Sequence, residues 1–199
     1  ALEAGISPYE PIDSPSPATF EGFVNCDTGV PFPTVTVNNS TTSGFLTMAQ
    51  ATAFSTNTYF MAIEERTGIC RVAEIAESMG VYTGSGDELP RVPTLTLGVA
   101  EVTPLAMANA YATFAAHGVH CEPRSILEVR DRNQKRLPVP EEKCTQVIDR
   151  PVADSVTELL SGVVDGPIAG RTGSRMSLAP QPVAGKTGTT NESAAVWFA

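Results

Sequence analysis

Apolar residues are scattered without period over residues 5–45, where Pro, Ser, Thr, Gly and Asn dominate. Such a segment is predicted to be extended and loop-rich, with short strands such as Thr34–Val37. From Phe45 the spacing becomes helical. Leu46, Ala49, Gln50 and Ala53 begin one stripe, and Phe60, Met61 and Ile63 continue a second after the polar cluster Ser55-Thr56-Asn57-Thr58. Those short polar side chains compete with the helical ladder, so the cluster is predicted to be a junction. Val72, Ile75, Ala76 and Met79 fall at i, i+3, i+4 and i+7, and Gly80 ends that run.

The next helix has clear punctuation. Thr103 is a good N-cap and Pro104 suits a first turn. Leu105, Ala108, Tyr111 and Ala115 are expected to share a face up to Gly118. Residues 123–140 read as a β-hairpin, with Ile126 and Val129 in one arm and "DRNQKR" at the turn. Pro151 opens another helix, with Val152, Val156, Leu159, Leu160 and Val163 inward and Asp165-Gly166 closing it. A Gly/Ser/Arg-rich loop over 166–181 then leads to two strand-like runs, Pro182–Thr190 and Ala194–Ala199. Helices followed by adjacent strands predict an α+β domain, with an antiparallel sheet flanked by helices.

The ends read as interrupted elements. Ala1, Leu2 and Glu3 are helix formers, and Gly5 before Pro8 looks like the stop of a helix already under way. "AAVWFA" is a strand-like run without a terminator, so the 199 residues are expected to be part of something longer. A net charge of −9 argues against a nucleic-acid partner, which needs a basic surface. No run approaches transmembrane length. Cys26, Cys70, Cys121 and Cys144 form no C-x-x-C pair, so a metal site is not expected, and their even number fits disulfides in an oxidising compartment. The hairpin should bring Cys121 to Cys144, which leaves Cys26 for Cys70.

The candidate chemistry sits in "PVAGKTGTTN", residues 182–191. Gly185-Lys186-Thr187 could end a phosphate-binding loop, but the first glycine such a loop needs is here Pro180. Pro180 and Pro182 lack donor N–H groups, and Thr-Gly-Thr-Thr after Lys186 is poor helix material. The alternative is Lys186-Thr187-Gly188 on a strand, preceded far upstream by Ser55-Thr56-Asn57 at a helix junction. In that order and context the two triplets resemble the second and third motifs of the penicillin-binding and serine β-lactamase superfamily. "LTLGVAEVTPLAMANAYATFAAHGV" and "AGKTGTTNESAAVWFA" further resemble the transpeptidase domain of bifunctional, class A penicillin-binding proteins of actinobacterial type, over residues 1–199.

That resemblance implies a serine β-lactamase/DD-peptidase-like fold, incomplete at both ends, that acts on D-Ala–D-Ala stem peptides of peptidoglycan and binds β-lactams without a cofactor. Ser55 would shuttle a proton to the leaving nitrogen, and Asn57 would bind the ligand's side-chain carbonyl and a lysine. Lys186, Thr187 and Thr189 would face the substrate carboxylate. Gly188 would let the strand approach the ligand, and the Thr189 N–H would form half of an oxyanion hole. One part is missing: no serine lies three before Lys135, Lys143 or Lys186, so the S-x-x-K nucleophile motif is expected just before Ala1. Membrane attachment, if any, is likewise expected upstream, with the domain in the cell envelope outside the cytoplasm. A β-lactamase is disfavoured by Thr56 where that pattern has Asp and by the lack of a deacylating Glu motif. A non-catalytic penicillin-recognising sensor or scaffold would keep every motif present. Arg171-Thr172-Gly173 mimics the third motif but lies in a loop, and is read as loop. His117 and His120 flank a helix stop and are expected to be surface or capping residues, Trp197 is expected in the core, and the sequons at Asn38, Asn39 and Asn191 carry little weight.

Overall fold

The computed structural model describes residues 1–190 and 194–199. The loop-rich first quarter folds as two strand pairs. β1 (Ile12–Ser14) pairs antiparallel with β4 (Gly44–Leu46), and β2 (Ala18–Phe20) with β3 (Val35–Val37). In each strand the third residue is buried, so alternation turns Ser14, Phe20, Val37 and Leu46 inward. The helices follow the predicted stripes: α1 (Met48–Phe54), α2 (Asn57–Thr67) and α3 (Ile69–Ser78). Thr47 and Gln50 close a reciprocal capping box at the start of α1. Leu46 itself belongs to β4.

Thr103 caps α4 (Pro104–Ala115), as its sequence predicts. The predicted inward face is displaced, however. Leu105 is 65% exposed, and Ala110 and Thr113 are the buried positions. A helix so rich in alanine carries little amphipathic signal, so its neighbours decide which side is covered. The arm that follows is longer than the predicted hairpin. β5 (Val119–Cys121) pairs with β8 (Cys144–Gln146), and β6 (Val129–Arg130) with β7 (Arg136–Leu137). Cys121 and Cys144 are directly opposed, with Cα atoms 4.1 Å apart and their sulfurs bonded. They occupy a non-hydrogen-bonded pair of the ladder, where side chains lie closest. The second disulfide, Cys26–Cys70, ties the loop after β2 to α3.

Both α1 and α4 pack on α5 (Arg150–Val164). At the turn into β5, Gly118 has φ +90° and a Cβ there would sit 2.0 Å from the Ile148 carbonyl oxygen, so only glycine fits. β9 (Thr187–Thr189) and β10 (Val196–Phe198) form the last antiparallel pair. Residues 1–6 form a turn rather than a helix, but their bonds are those of a helix end. The Ile6 N–H donates to the Ala1 carbonyl and the Gly5 N–H to Leu2, with Gly5 at φ +76°. Among the described residues no helix is long and apolar enough to cross a membrane.

Candidate active site

α1 ends in an unusual way. The Ser55 N–H donates to the Thr52 carbonyl and the Thr56 N–H to Ala51, the paired bonds of a Schellman motif. The left-handed residue of that motif is normally glycine; here it is Ser55, at φ 57°, ψ 50°. Holding a side chain in that region costs about 1–2 kcal/mol. Strain of this kind persists where surrounding structure imposes it, and it is concentrated at functional sites. The turn leaves the Ser55 side chain on the wall of a cavity of about 1090 Å³. Thr56, the N-cap of α2, is fully buried and its hydroxyl has no partner among the described residues. Asn57, the first residue of α2, also lines the cavity, and its Nδ2 donates to the Asn38 carbonyl oxygen at 2.9 Å.

The opposite wall is β9. Lys186 and Ala199 exchange both backbone hydrogen bonds, at 2.8 and 3.1 Å, and the Thr190 N–H donates to Ala195. In an antiparallel ladder such pairs alternate with non-bonded ones. Thr187 and Thr189 therefore direct their N–H groups away from β10, and the Thr189 N–H is free of the ladder. Gly185 is required by packing, since a Cβ there would lie 2.6 Å from the Phe198 ring. Gly188 is not: a Cβ would meet only the Trp197 side chain, at an ordinary 3.6 Å. Trp197 is 38% exposed on the cavity wall, not in the core as its sequence suggests, because β10 has no further strand beside it among the described residues.

Lys186 is the electrostatic centre. Its Nζ donates to the Thr187 carbonyl oxygen at 3.0 Å, and no carboxylate lies within ion-pair distance among the described residues. Burial pushes the ammonium down to about 8 from an ordinary 10.5. A partly buried cation with no counter-ion among the described residues, at the wall of an open cavity, is suited to an anionic ligand.

Ser55, Asn57, Lys186, Thr187, Gly188 and Thr189 thus all line one cavity. No hydrogen bond joins Ser55, Asn57 and Lys186 to one another among the described residues. Arg171 stays outside, donating to the Val164 and Ile168 carbonyls beyond α5. Its neighbour Thr172, which the sequence places in the same loop, joins the two walls. The Thr172 N–H donates to the Ala53 carbonyl at the end of α1, and its hydroxyl oxygen accepts from the Thr187 hydroxyl at 2.7 Å. One residue thereby clasps the Ser55 turn to the Lys186 strand. The same bond uses the Thr187 hydroxyl hydrogen, so Thr187 cannot offer it to a carboxylate while the clasp is closed. His117 pairs with Asp154 and His120 contacts Asn109 and Thr113, all away from the cavity wall. The Asn191 sequon lies outside the described residues.

Residues 21–195 match the family model described as the penicillin binding protein transpeptidase domain. The chain is 34% identical over 155 residues to penicillin-binding protein 1A of Aquifex aeolicus, covering 78% of this chain and 20% of that protein. It therefore spans about a fifth of the length of the curated relatives it matches. Among solved structures, penicillin-binding protein 1A from Haemophilus influenzae superposes with a TM-score of 0.81 at 23% identity, over 99% of this chain and 33% of that one. PonA1 from Mycobacterium tuberculosis superposes with a TM-score of 0.72 at 25% identity, over 99% and 52%.

Proposed function

The chain belongs to the penicillin-binding protein transpeptidase family, of the class A type, and from that membership we propose that it carries two walls of an acyl-transfer site for peptidoglycan cross-linking. In this reading a serine Oγ attacks the D-Ala–D-Ala amide carbonyl, the C–N bond breaks, and D-alanine leaves as an amine after receiving a proton. An amine of a second stem peptide then displaces the serine. Ser55 relays the proton to the leaving nitrogen, and Asn57 holds the donor peptide by a carbonyl. Lys186 faces the terminal carboxylate, with the Thr189 hydroxyl beside it. The ladder-free Thr189 N–H stabilises the oxyanion. β-Lactams enter as mimics of the same peptide.

The observation that carries this reading is convergence. Asn57 and Lys186 stand 129 positions apart in the chain, yet both line one cavity with Ser55. The nucleophilic serine and its lysine are assigned to an S-x-x-K motif before Ala1. The apolar part of the cavity supports that assignment: it starts at Ala1 and Leu2 and runs along Tyr111, Phe114, Val156 and Leu159, a wall suited to a helix. Two disulfides fit a domain outside the cytoplasm, tethered by an upstream segment. Labelling with a fluorescent penicillin tests the proposal. The full-length protein should be acylated covalently, and residues 1–199 alone should not. A full-length protein that stays unlabelled would be a scaffold or sensor, and a specific labelled serine within 1–199 would place the nucleophile elsewhere.

A further inference from the structure

The N-terminus of α2 is held from outside the helix. Thr56, at its N-cap, makes no side-chain cap bond. The work falls to Asn39, in the loop after β3. Its Oδ1 accepts from the Thr58 N–H at 2.9 Å, one of the donors a helix start leaves unpaired. Its Nδ2 donates to the Thr58 hydroxyl at 2.9 Å and to the Ser14 carbonyl at 3.2 Å. Its own N–H donates to the Ser16 hydroxyl at 2.9 Å. Ser14 and Thr58 are 0% and 1% exposed, so both ends of this clamp are anchored in the interior. The adjacent Asn38 carbonyl receives the Asn57 Nδ2. That bond fixes which way the Asn57 amide faces, leaving its Oδ1 and second N–H for the cavity.

We infer that Asn39 is a positioning residue for Asn57: it caps α2 from 19 positions away and sets the Asn57 amide in its ligand-binding orientation through the Asn38 carbonyl. The inference rests on the role of Asn57 proposed above. It yields a selectivity that ordinary loss of stability does not. A β-lactam with an acylamino side chain presents the carbonyl that Asn57 would bind. A carbapenem with a hydroxyethyl group has no such amide. Misplacing Asn57 should therefore slow the first kind more than the second.

The test measures acylation rates of the full-length protein with benzylpenicillin and imipenem. Asn39→Leu, which removes all the side-chain bonds, is expected to slow benzylpenicillin by about tenfold to a hundredfold and imipenem by much less. Asn39→Asp keeps an acceptor for the Thr58 N–H and loses the donors, so it should fold when Asn39→Leu does not and show a smaller shift in the same direction. Asn25→Leu removes a comparable set of bonds, from the Asp27 and Thr28 N–H groups at residues that do not line the cavity, and should leave the ratio of the two rates unchanged. Equal slowing of both β-lactams, or no slowing, in a labelled protein would overturn the inference alone. A wild-type protein that neither β-lactam acylates would overturn the functional reading and this inference with it.

Discussion

Replacing Lys186 with Met should make the protein more stable and less reactive at once. The ammonium is partly desolvated and has no ion-pair partner among the described residues, and burial lowers it from 10.5 to about 8. Each unit between those values is worth about 1.4 kcal/mol, so holding the charge in the fold costs up to roughly 3 kcal/mol below pH 8. The sign follows from proton counts. Between about pH 8 and 10.5 the unfolded lysine keeps its proton while the folded one has lost it. The Lys186 contribution to stability therefore rises with pH through that window, the reverse of a lysine that gains a partner on folding. Methionine fills similar volume without a charge, at the loss of one hydrogen bond to the Thr187 carbonyl worth about 1 kcal/mol. Lys186→Met should gain about 2 kcal/mol at pH 7 and fall about 1 kcal/mol below the wild type above pH 10.5, where only the lost hydrogen bond remains. Urea denaturation of both proteins across pH 7–11 reads this directly, because other titrating groups cancel in the difference. Acylation by penicillin should fall steeply in the variant. Equal or lower stability of Lys186→Met at pH 7, with no difference in slope, would refute the uncompensated buried charge.

Two further outcomes follow from the clasp and the arm. Thr172→Val removes the acceptor for the Thr187 hydroxyl and should slow acylation about tenfold, whereas Thr172→Ser should restore it and Arg171→Ala should leave it near wild type. If Arg171→Ala abolished labelling and Lys186→Ala did not, the wrong strand would have been assigned to the site. Replacing both Cys121 and Cys144 with Ser opens a loop with a sequence separation of 23 and should cost about 3 kcal/mol under oxidising conditions. An unchanged melting temperature would show that the ladder alone holds the arm.

What the sequence disclosed were features with a local signature. Capping at Thr103, the stop at Gly80 and the polar junction at 55–58 can be read from neighbours in the chain. The Cys121–Cys144 pairing followed from the hairpin between them. The inward face of α4 could not be read, because alanine marks no side. The clasp at Thr172 and the clamp at Asn39 were equally hidden. Both are single hydrogen-bonding side chains in loops, and their value comes only from the helix ends that tertiary folding brings to them. One signal was available for Ser55: two helical stripes meeting at a non-glycine residue imply a left-handed position that glycine would ordinarily take.

Three costs gather at and beside the cavity: a serine in left-handed backbone, a threonine hydroxyl buried without a partner among the described residues, and a lysine desolvated without a counter-ion among them. Each could be relieved by one substitution, to glycine, valine or methionine, and in the reading proposed above the first and the last would lose the chemistry. In that reading the hydroxyl of Ser55 and the charge of Lys186 serve the acyl transfer, and they are held at a cost to the fold. The Tyr59 hydroxyl in α2 is likewise buried without a partner among the described residues, and against these costs stand a capping box on α1, a Thr-Pro start to α4, and disulfides at two loop-rich margins. Those margins stabilise a scaffold that can tolerate a strained wall. The clasp and the clamp then act at the two helix ends beside it, Ala53 and Thr58, and hold residues 55–57 between them.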